Sequence, residues 1–505
     1  MTMQAPHLKQ IVIAGGGTAG WMVAAALSSL LEPRDVTITL VESDAIGTVG
    51  VGEATIPDIL AFNQMLGIDE AEFMAATHAT FKLGIQFVDW GKVGDRYFHP
   101  FGQHGADMRG IDFHQYWLRS RADGNPSAID AYSLCAVAAQ ANRFTLPDPN
   151  PRSVRSQIRY AYHFDATLYA RFLRRYAEAR GVRRVEGIVR NVRRAADADA
   201  IAGLDLVDGR AVDGDFFFDC TGFRALLTAD TLDVGYDDWS HWLPCDRALA
   251  VPSAHAGPLP PYTRATARGA GWQWRIPTQR RTGNGHIYSS AFLSDDAAAD
   301  ILLGGLDGPA LADPRQIRFT AGCRKRFWTG NCIAIGLAAG FLEPLESTSI
   351  YLIQEGISRF ISLFPTADIP YIVRTEYNRH MRTEFEQVRD FIILHYAATE
   401  RDDTAFWNHC RTMALPDTLN HKIALFRETG RVFRYEEELF ARPSWVAVLL
   451  GQRVVPKTFD PIIATLPSGD VAHSLQSMQR AIQAAAEQMP THQQFIAHFC
   501  PAQAA

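Results

Sequence analysis

The residue types able to do chemistry stand in a few short clusters. Gly15, Gly17 and Gly20 keep G-x-G-x-x-G spacing directly after the β-branched residues Ile11, Val12 and Ile13, and residues 21–31 continue as a helix. In that setting Gly15 allows a tight turn, Gly17 lets backbone approach a pyrophosphate and Gly20 lets helix pack on strand. The helix N-terminus offers free amides to the phosphates, and Thr18 and Ala19, between the second and third glycines, are expected to contact them. The next β-branched run ends in Glu42, an acid about 20 residues further on, where a ribose hydroxyl is usually held. Residues 47–57 are glycine-rich and free to wrap over a ligand, so Gly50, Gly52, Glu53 and Ala54 are expected to strap it down; an ordinary surface loop is the plain alternative.

A second set of candidates is ionic and aromatic. Phe81, Leu83, Ile85 and Phe87 alternate with Lys82, Gly84 and Gln86, which reads as a half-buried strand with Lys82 on the face opposite the apolar set. Taken alone, such a lysine is a solvated charge. His99 and Phe101 flank Pro100 and can sandwich a flat aromatic molecule or simply pack a core. Asp219 ends a run of three phenylalanines and leads into Thr221 and Gly222, a strand-to-loop junction expected at the same edge as the glycine loop. Gly336 follows another buried strand. Trp272 and Trp274 lie at i and i+2 of an extended segment that continues to Ile276 and Pro277, so both rings should form one rigid wall. Glu346 precedes Ser347, Thr348 and Ser349, where apolar residues from Ile350 onward take up helical spacing. Free amides there make an anion site, and Glu346 by itself reads as a partner of the helix dipole.

These clusters must be positioned by alternating strands and helices, which makes the fold class α/β. Helical patterns at 113–142 and 166–180 are followed by short strands over 182–219, with Asp165 as a helix cap. Beyond about residue 365 the pattern is helical, with His395 inside a long run and a last helix over 471–488. The expected division is a dinucleotide-binding body over residues 1–360, with a helical insertion at about 110–150, and a mainly helical covering part over 361–505, forming one compact unit. The 505 residues are 47% hydrophobic and 21% charged, with a formal net charge of −6. That balance gives no reason to expect nucleic acid or an anionic membrane as partner. Residues 11–31 are uncharged and could pass for a membrane anchor, but the clustered glycines and the acid-ended strand that follows favour a nucleotide cradle. Seven scattered cysteines without a C-x-x-C pair fit a reducing cytoplasm and predict neither a disulfide framework nor a metal site.

Together these motifs resemble the flavin-dependent halogenases of the tryptophan halogenase family, over nearly the whole chain. The most specific element is Trp272, Trp274, Ile276 and Pro277, a signature that separates such halogenases from hydroxylating monooxygenases sharing the glycine loop. The resemblance implies an FAD-binding Rossmann-like body of the flavoprotein monooxygenase type. It also implies reduced FAD supplied by a separate NAD(P)H-dependent flavin reductase, since no second pyridine-nucleotide loop stands in the sequence. Hypohalous acid made from chloride or bromide would reach Lys82 and be delivered to an electron-rich aromatic ring, with Glu346 as the second catalytic residue. His99 and Phe101 would stack on an indole, His395 and Trp445 would line its pocket, and the two tryptophans would wall it off from the flavin.

Two departures from the family pattern stand out. The halide is expected at the backbone after Thr348, where the family usually has glycine and this chain has Ser349, whose β-carbon and hydroxyl can narrow the site, add a donor or change the halide preference. Where tryptophan halogenases clamp an amino acid with adjacent tyrosines and an acid, this chain has Trp445, Val446 and Gln452. Without a paired charge a zwitterion is poorly compensated, so indole or a larger indole-bearing molecule is expected rather than free tryptophan. A flavin-dependent aromatic hydroxylase and a non-catalytic flavin-binding protein are the competing readings. The tryptophan wall opposes the first, and a Lys82→Ala variant without effect would favour the second.

Overall fold

The computed structural model describes residues 7–46, 52–196 and 199–502. Gly50 lies outside them. The buried β-branched run forms the strand Gln10–Ala14 at the centre of a six-stranded sheet. Thr37–Glu42 and then Arg183–Glu186 lie parallel on one side, and Phe216–Asp219 and then Cys332–Ala334 lie parallel on the other. A short antiparallel strand, Trp328–Thr329, closes that edge. Ala14 is in register with Asp219, and Asp219 with Ala334, so the chain leaves three neighbouring strands at one level through Gly15, Cys220 and Ile335. Open parallel sheets bind ligands at that carboxyl edge. The helix Thr18–Leu30 is apolar almost all round because it is sandwiched between the sheet and the helices Ala166–Glu178 and Ser349–Ser362. Asp165 caps Ala166–Glu178 as expected, accepting from the amides of Thr167 at 2.9 Å and Leu168 at 3.1 Å.

A second, seven-stranded sheet carries the tryptophan segment. Gly271–Pro277 runs between Thr282–Tyr288 and Thr263–Arg268, and the sheet continues through Gly84–Val88 to Arg96–Pro100. A small three-stranded sheet joins the two regions, with Ala161–Asp165 flanked by Gly52–Ala54 and Thr80–Lys82. The single half-buried strand expected around Lys82 is therefore two strands, broken at Leu83 and belonging to different sheets. Thr80 to Ile85 are buried on both faces, Lys82 included. Among the described residues all strands precede Leu342, and the chain after it is helical. The helical pattern at 113–142 resolves into Phe113–Ala122, a 3-10 turn at Ile129–Tyr132 and Leu134–Gln140. The C-terminal helices pack on these elements and on the Arg96–Pro100 strand, and one contiguous apolar core runs from Leu8 to Cys500.

The cradle glycines differ in what a side chain would meet. Gly15 has φ +106°, and a β-carbon there would lie 2.2 Å from the Cys220 carbonyl; at Gly20 it would lie 1.9 Å from the Gly15 carbonyl. At Gly17 it would meet nothing within 4 Å. Gly15→Ala and Gly20→Ala are therefore expected to lose about 2–4 kcal/mol each in urea unfolding, while Gly17→Ala keeps its midpoint.

Candidate active site

The carboxyl edge of the parallel sheet opens into a cavity of about 590 Å³, within the size range of small-molecule and cofactor sites. Gly15, Gly17, Thr18 and Ala19 line it at one end, together with Glu42, and Gly52, Glu53 and Ala54 close over it. Gly20 stays behind, packed on the turn. Gly336, at φ +68°, lines the far side. Glu42 is already held there: Arg184 Nε donates to it at 2.6 Å and Trp21 Nε1 at 3.3 Å. Asp219 does not reach the cavity. It is fully buried, and its carboxylate accepts from the amides and hydroxyls of Thr221 and Thr228 and from the Leu227 amide, which shapes the loop that does line it.

Only one of the two signature tryptophans faces this space. Trp274 and Ile276 line the cavity, whereas Trp272 is 1% exposed and sits behind, its ring 6.1 Å from that of Trp274. Its indole N–H donates to Glu343 Oε2 at 2.8 Å, and the Tyr396 hydroxyl donates to the same oxygen at 2.5 Å. Pro277 contributes a carbonyl that accepts from Thr80 Oγ1 at 2.6 Å. The wall is thus one ring deep, with the second ring as its support.

Ser347 and Ser349 line the cavity as well, together with Pro344. The 3-10 turn Pro344–Glu346 gives way to Ser347 in the left-handed region, φ 63°, and the helix Ser349–Ser362 starts after Thr348. No side chain caps this helix, and the Thr348 hydroxyl is buried without a hydrogen-bond partner among the described residues. The reversal at Ser347 turns Glu346 away from the cavity into a buried pocket. There His99 Nδ1 lies 2.9 Å from Oε2, and His395 Nε2 lies 2.8 Å from Oε1, at ion-pair distance but outside hydrogen-bond geometry. Burial alone would raise the Glu346 carboxyl; the two imidazoles outweigh it and hold it down to about 2.

Lys82 enters the same region from the opposite side. Its Nζ donates to the Thr55 carbonyl at 2.9 Å and to Ser347 Oγ at 2.7 Å, and it lies 4.9 Å from the centre of the Phe101 ring. Burial brings its ammonium down to about 7, against the pull of Glu346 in the other direction. Lys82 and Glu346 are thus brought together, and Ser347 is the residue that touches the lysine and also lines the cavity. Sequence reasoning missed Ser347, Thr55 and Glu343. Ser347 stands beside Glu346 in the chain, but nothing in its residue type announces the left-handed backbone that aims it at Lys82.

The expected aromatic contacts divide. Phe101 lies under Lys82, but His99 and His395 are spent on Glu346, His395 being fully buried with Nδ1 2.9 Å from the Phe391 carbonyl. Trp445 packs edge-on to Phe391, which stacks on Phe440 with ring centres 3.8 Å apart, and its indole N–H donates to the Phe440 carbonyl at 3.1 Å. Gln452 donates to Tyr97 and to the His395 carbonyl. Lys422 lies 4.5 Å from the Trp445 ring and is taken up by both oxygens of Glu438 at 2.6 Å.

Comparison with known proteins gives the family. Residues 10–468 match the tryptophan halogenase family model. The chain is 37% identical to a tryptophan 6-halogenase from Streptomyces toxytricini, over 90% of this chain and 91% of that protein. Among solved structures, a flavin-dependent halogenase from Xanthomonas campestris superposes with a TM-score of 0.96 at 49% identity, covering 99% of this chain and all of that one. One from Brevundimonas sp. BAL3 superposes at 0.95 and 46% identity, covering 98% of this chain and all of that one. Among the described residues no helix is long and apolar enough to cross a membrane. The chain belongs to the tryptophan halogenase family, and with it to the flavin-dependent halogenases.

Proposed function

We propose that this enzyme halogenates an uncharged, electron-rich aromatic ring, an indole or a larger indole-bearing molecule, using chloride or bromide, O2 and reduced FAD delivered by a separate NAD(P)H-dependent flavin reductase. The observation that carries this reading is the meeting of Lys82 with the buried Glu346 pocket behind Ser347, at the end of a dinucleotide-sized cavity. The residues present fit FAD. Gly17 leaves room for close phosphate approach, Glu42 stands at a ribose position, and Trp274 and Ile276 offer an apolar wall to a flat ring. Bound reduced FAD would supply the oxidising chemistry that turns halide and O2 into hypohalous acid.

The chain's own residues would then do the following. The uncapped start of the Ser349–Ser362 helix and the unpartnered Thr348 hydroxyl hold the halide, with Ser349 at the cavity face. Trp274 keeps the arene apart from the flavin side. Lys82, brought down to about 7 by burial, presents a large share of neutral amine at pH 7–8, a lone pair able to hold the electrophilic halogen by hydrogen bond or as an N–X bond. Glu346 stays ionised, positioned to stabilise the positive ring and to accept its proton. The body formed by residues 1–360 carries the cofactor, and residues 361–505 cover the aromatic side. Seven unpaired cysteines suit work in the cytoplasm.

Lys82→Met, assayed with reductase, NADH, FAD, O2 and bromide, should lose the halogenated product by at least about a hundredfold while still releasing hypohalous acid to a thiol trap. Glu346→Gln should slow product formation by about a hundredfold. An oxygenated arene in either assay would instead establish hydroxylation.

Because Lys422 and Glu438 already satisfy each other, a substrate ammonium or carboxylate beside Trp445 gains no partner. One poorly compensated charge costs about 2 kcal/mol, so kcat/KM for indole should exceed that for free tryptophan by about 30-fold. Equal values, measured by product mass in parallel reactions, would reject the neutral-substrate assignment.

A further inference from the structure

Glu53 occupies the middle of the Gly52–Ala54 strand and lines the cavity beside Gly52 and Ala54. Among the described residues nothing hydrogen-bonds or pairs with its carboxyl, in contrast to Glu42 across the same space, which Arg184 and Trp21 hold. The charges on the elements packed against it are committed elsewhere. On the neighbouring strand Asp165 pairs with Arg281 at 2.6 Å, and His163 lies between Thr80 and Thr263. On the tryptophan sheet Arg275 pairs with Asp307, and His286 faces the Ala298 carbonyl. Lys82 is turned to Thr55 and Ser347. Among the described residues no polar group solvates this carboxyl, which faces the open cavity.

We propose that Glu53 is the proton-linked contact of the flavin dinucleotide, binding it as the neutral acid and taking up one proton as the cofactor fills the cavity. The proposal rests on the FAD reading. A dinucleotide entering this space displaces the water around Glu53 and brings two phosphate charges of the same sign, and no cation among the packed elements is free to compensate. Burial already raises the Glu53 carboxyl to about 7 in the free protein, so proton uptake falls in the neutral range. The sign follows from linkage: a carboxyl whose affinity for protons increases on binding lends cofactor affinity that is complete below the free-state value and declines as pH rises through it. Lys82 and Glu346 are held by partners other than Glu53, so this linkage is read at cofactor binding.

The test is calorimetric titration of the purified chain with oxidised FAD at pH 6 and pH 8, repeated in two buffers of different ionisation enthalpy. In wild type, Kd should rise about tenfold between pH 6 and pH 8, with close to one proton taken up per FAD at pH 8. Glu53→Gln, with its thermal midpoint checked first, should bind at both pH values as tightly as wild type does at pH 6, without proton uptake. A wild-type Kd that does not change with pH, or a Glu53→Gln protein that keeps the slope, would overturn the proposal. Failure of wild type to bind FAD at any pH would reject FAD as the occupant, and the proposal with it, whereas a folded Glu53→Gln protein that fails to bind while wild type binds would overturn the neutral-acid role alone.

Discussion

The meeting of the strand edge, helix end and turn behind the cavity depends on how one buried anion is neutralised. Glu346 is 1% exposed, and a carboxylate taken that far from water is unfavourable by several kcal/mol unless it is paired. Its two partners come from separate structures: His99 from the last strand of the seven-stranded sheet, and His395 from the final turn of the Tyr371–Ala397 helix. The carboxylate itself sits on the Pro344–Glu346 turn, which descends from the parallel sheet. Compensating one charge thus fixes a strand edge, a helix end and a turn relative to one another. The same pairing keeps Glu346 ionised in a dry pocket, the state in which it can accept a proton.

Ser347 converts that arrangement into two compartments. A non-glycine residue in the left-handed region is strained by about 1–3 kcal/mol, and such backbone persists where its surroundings over-determine it. Here the reversal points residue 346 into the ionic pocket, lets residue 347 line the cavity, and starts a helix whose amides face the boundary. The Lys82 bond to Ser347 Oγ ties the small Thr80–Lys82 strand to this corner, so the lysine reports on the cavity through a single hydroxyl. Ser347 thus both lines the cavity, as Trp274 does, and touches the amine.

How far the sequence carries one along this path depends on the range of the interactions involved. Two of the cradle glycines were legible because their geometry demands the residue type: no side chain fits at Gly15 or Gly20, whereas a β-carbon at Gly17 would meet nothing. The common level of Ala14, Asp219 and Ala334 follows from the same strand logic. Lys82 was not legible by itself. Alternation from Phe81 to Phe87 describes one exposed and one buried face, yet the layer that covers Lys82 is built from Thr55, Ala161 and Ser347, scattered over nearly 300 residues. Asp219 shows the converse error. Its place at the strand end was correct, but a backbone loop with unsatisfied amides claimed the carboxylate before any cofactor could. His395 was read as a substrate contact for want of the knowledge that Glu346 would need a second partner.

Two glutamates three residues apart show how completely environment decides chemistry here. Glu343 and Glu346 flank one 3-10 turn and are both buried, but they are driven in opposite directions. Glu346 meets two imidazoles and is held down to about 2; Glu343 meets only the neutral donors of Trp272 and Tyr396, and burial lifts it to about 7. Its second oxygen has no partner among the described residues, so near neutral pH the site tolerates a proton there at little cost. The consequence is a division of labour written into one turn. Glu343, about half protonated near pH 7, anchors the ring that backs Trp274, and Glu346 keeps its charge. One sequence motif thus carries two carboxyls in opposite states, and the donors packed around each, not the residue type, set them apart.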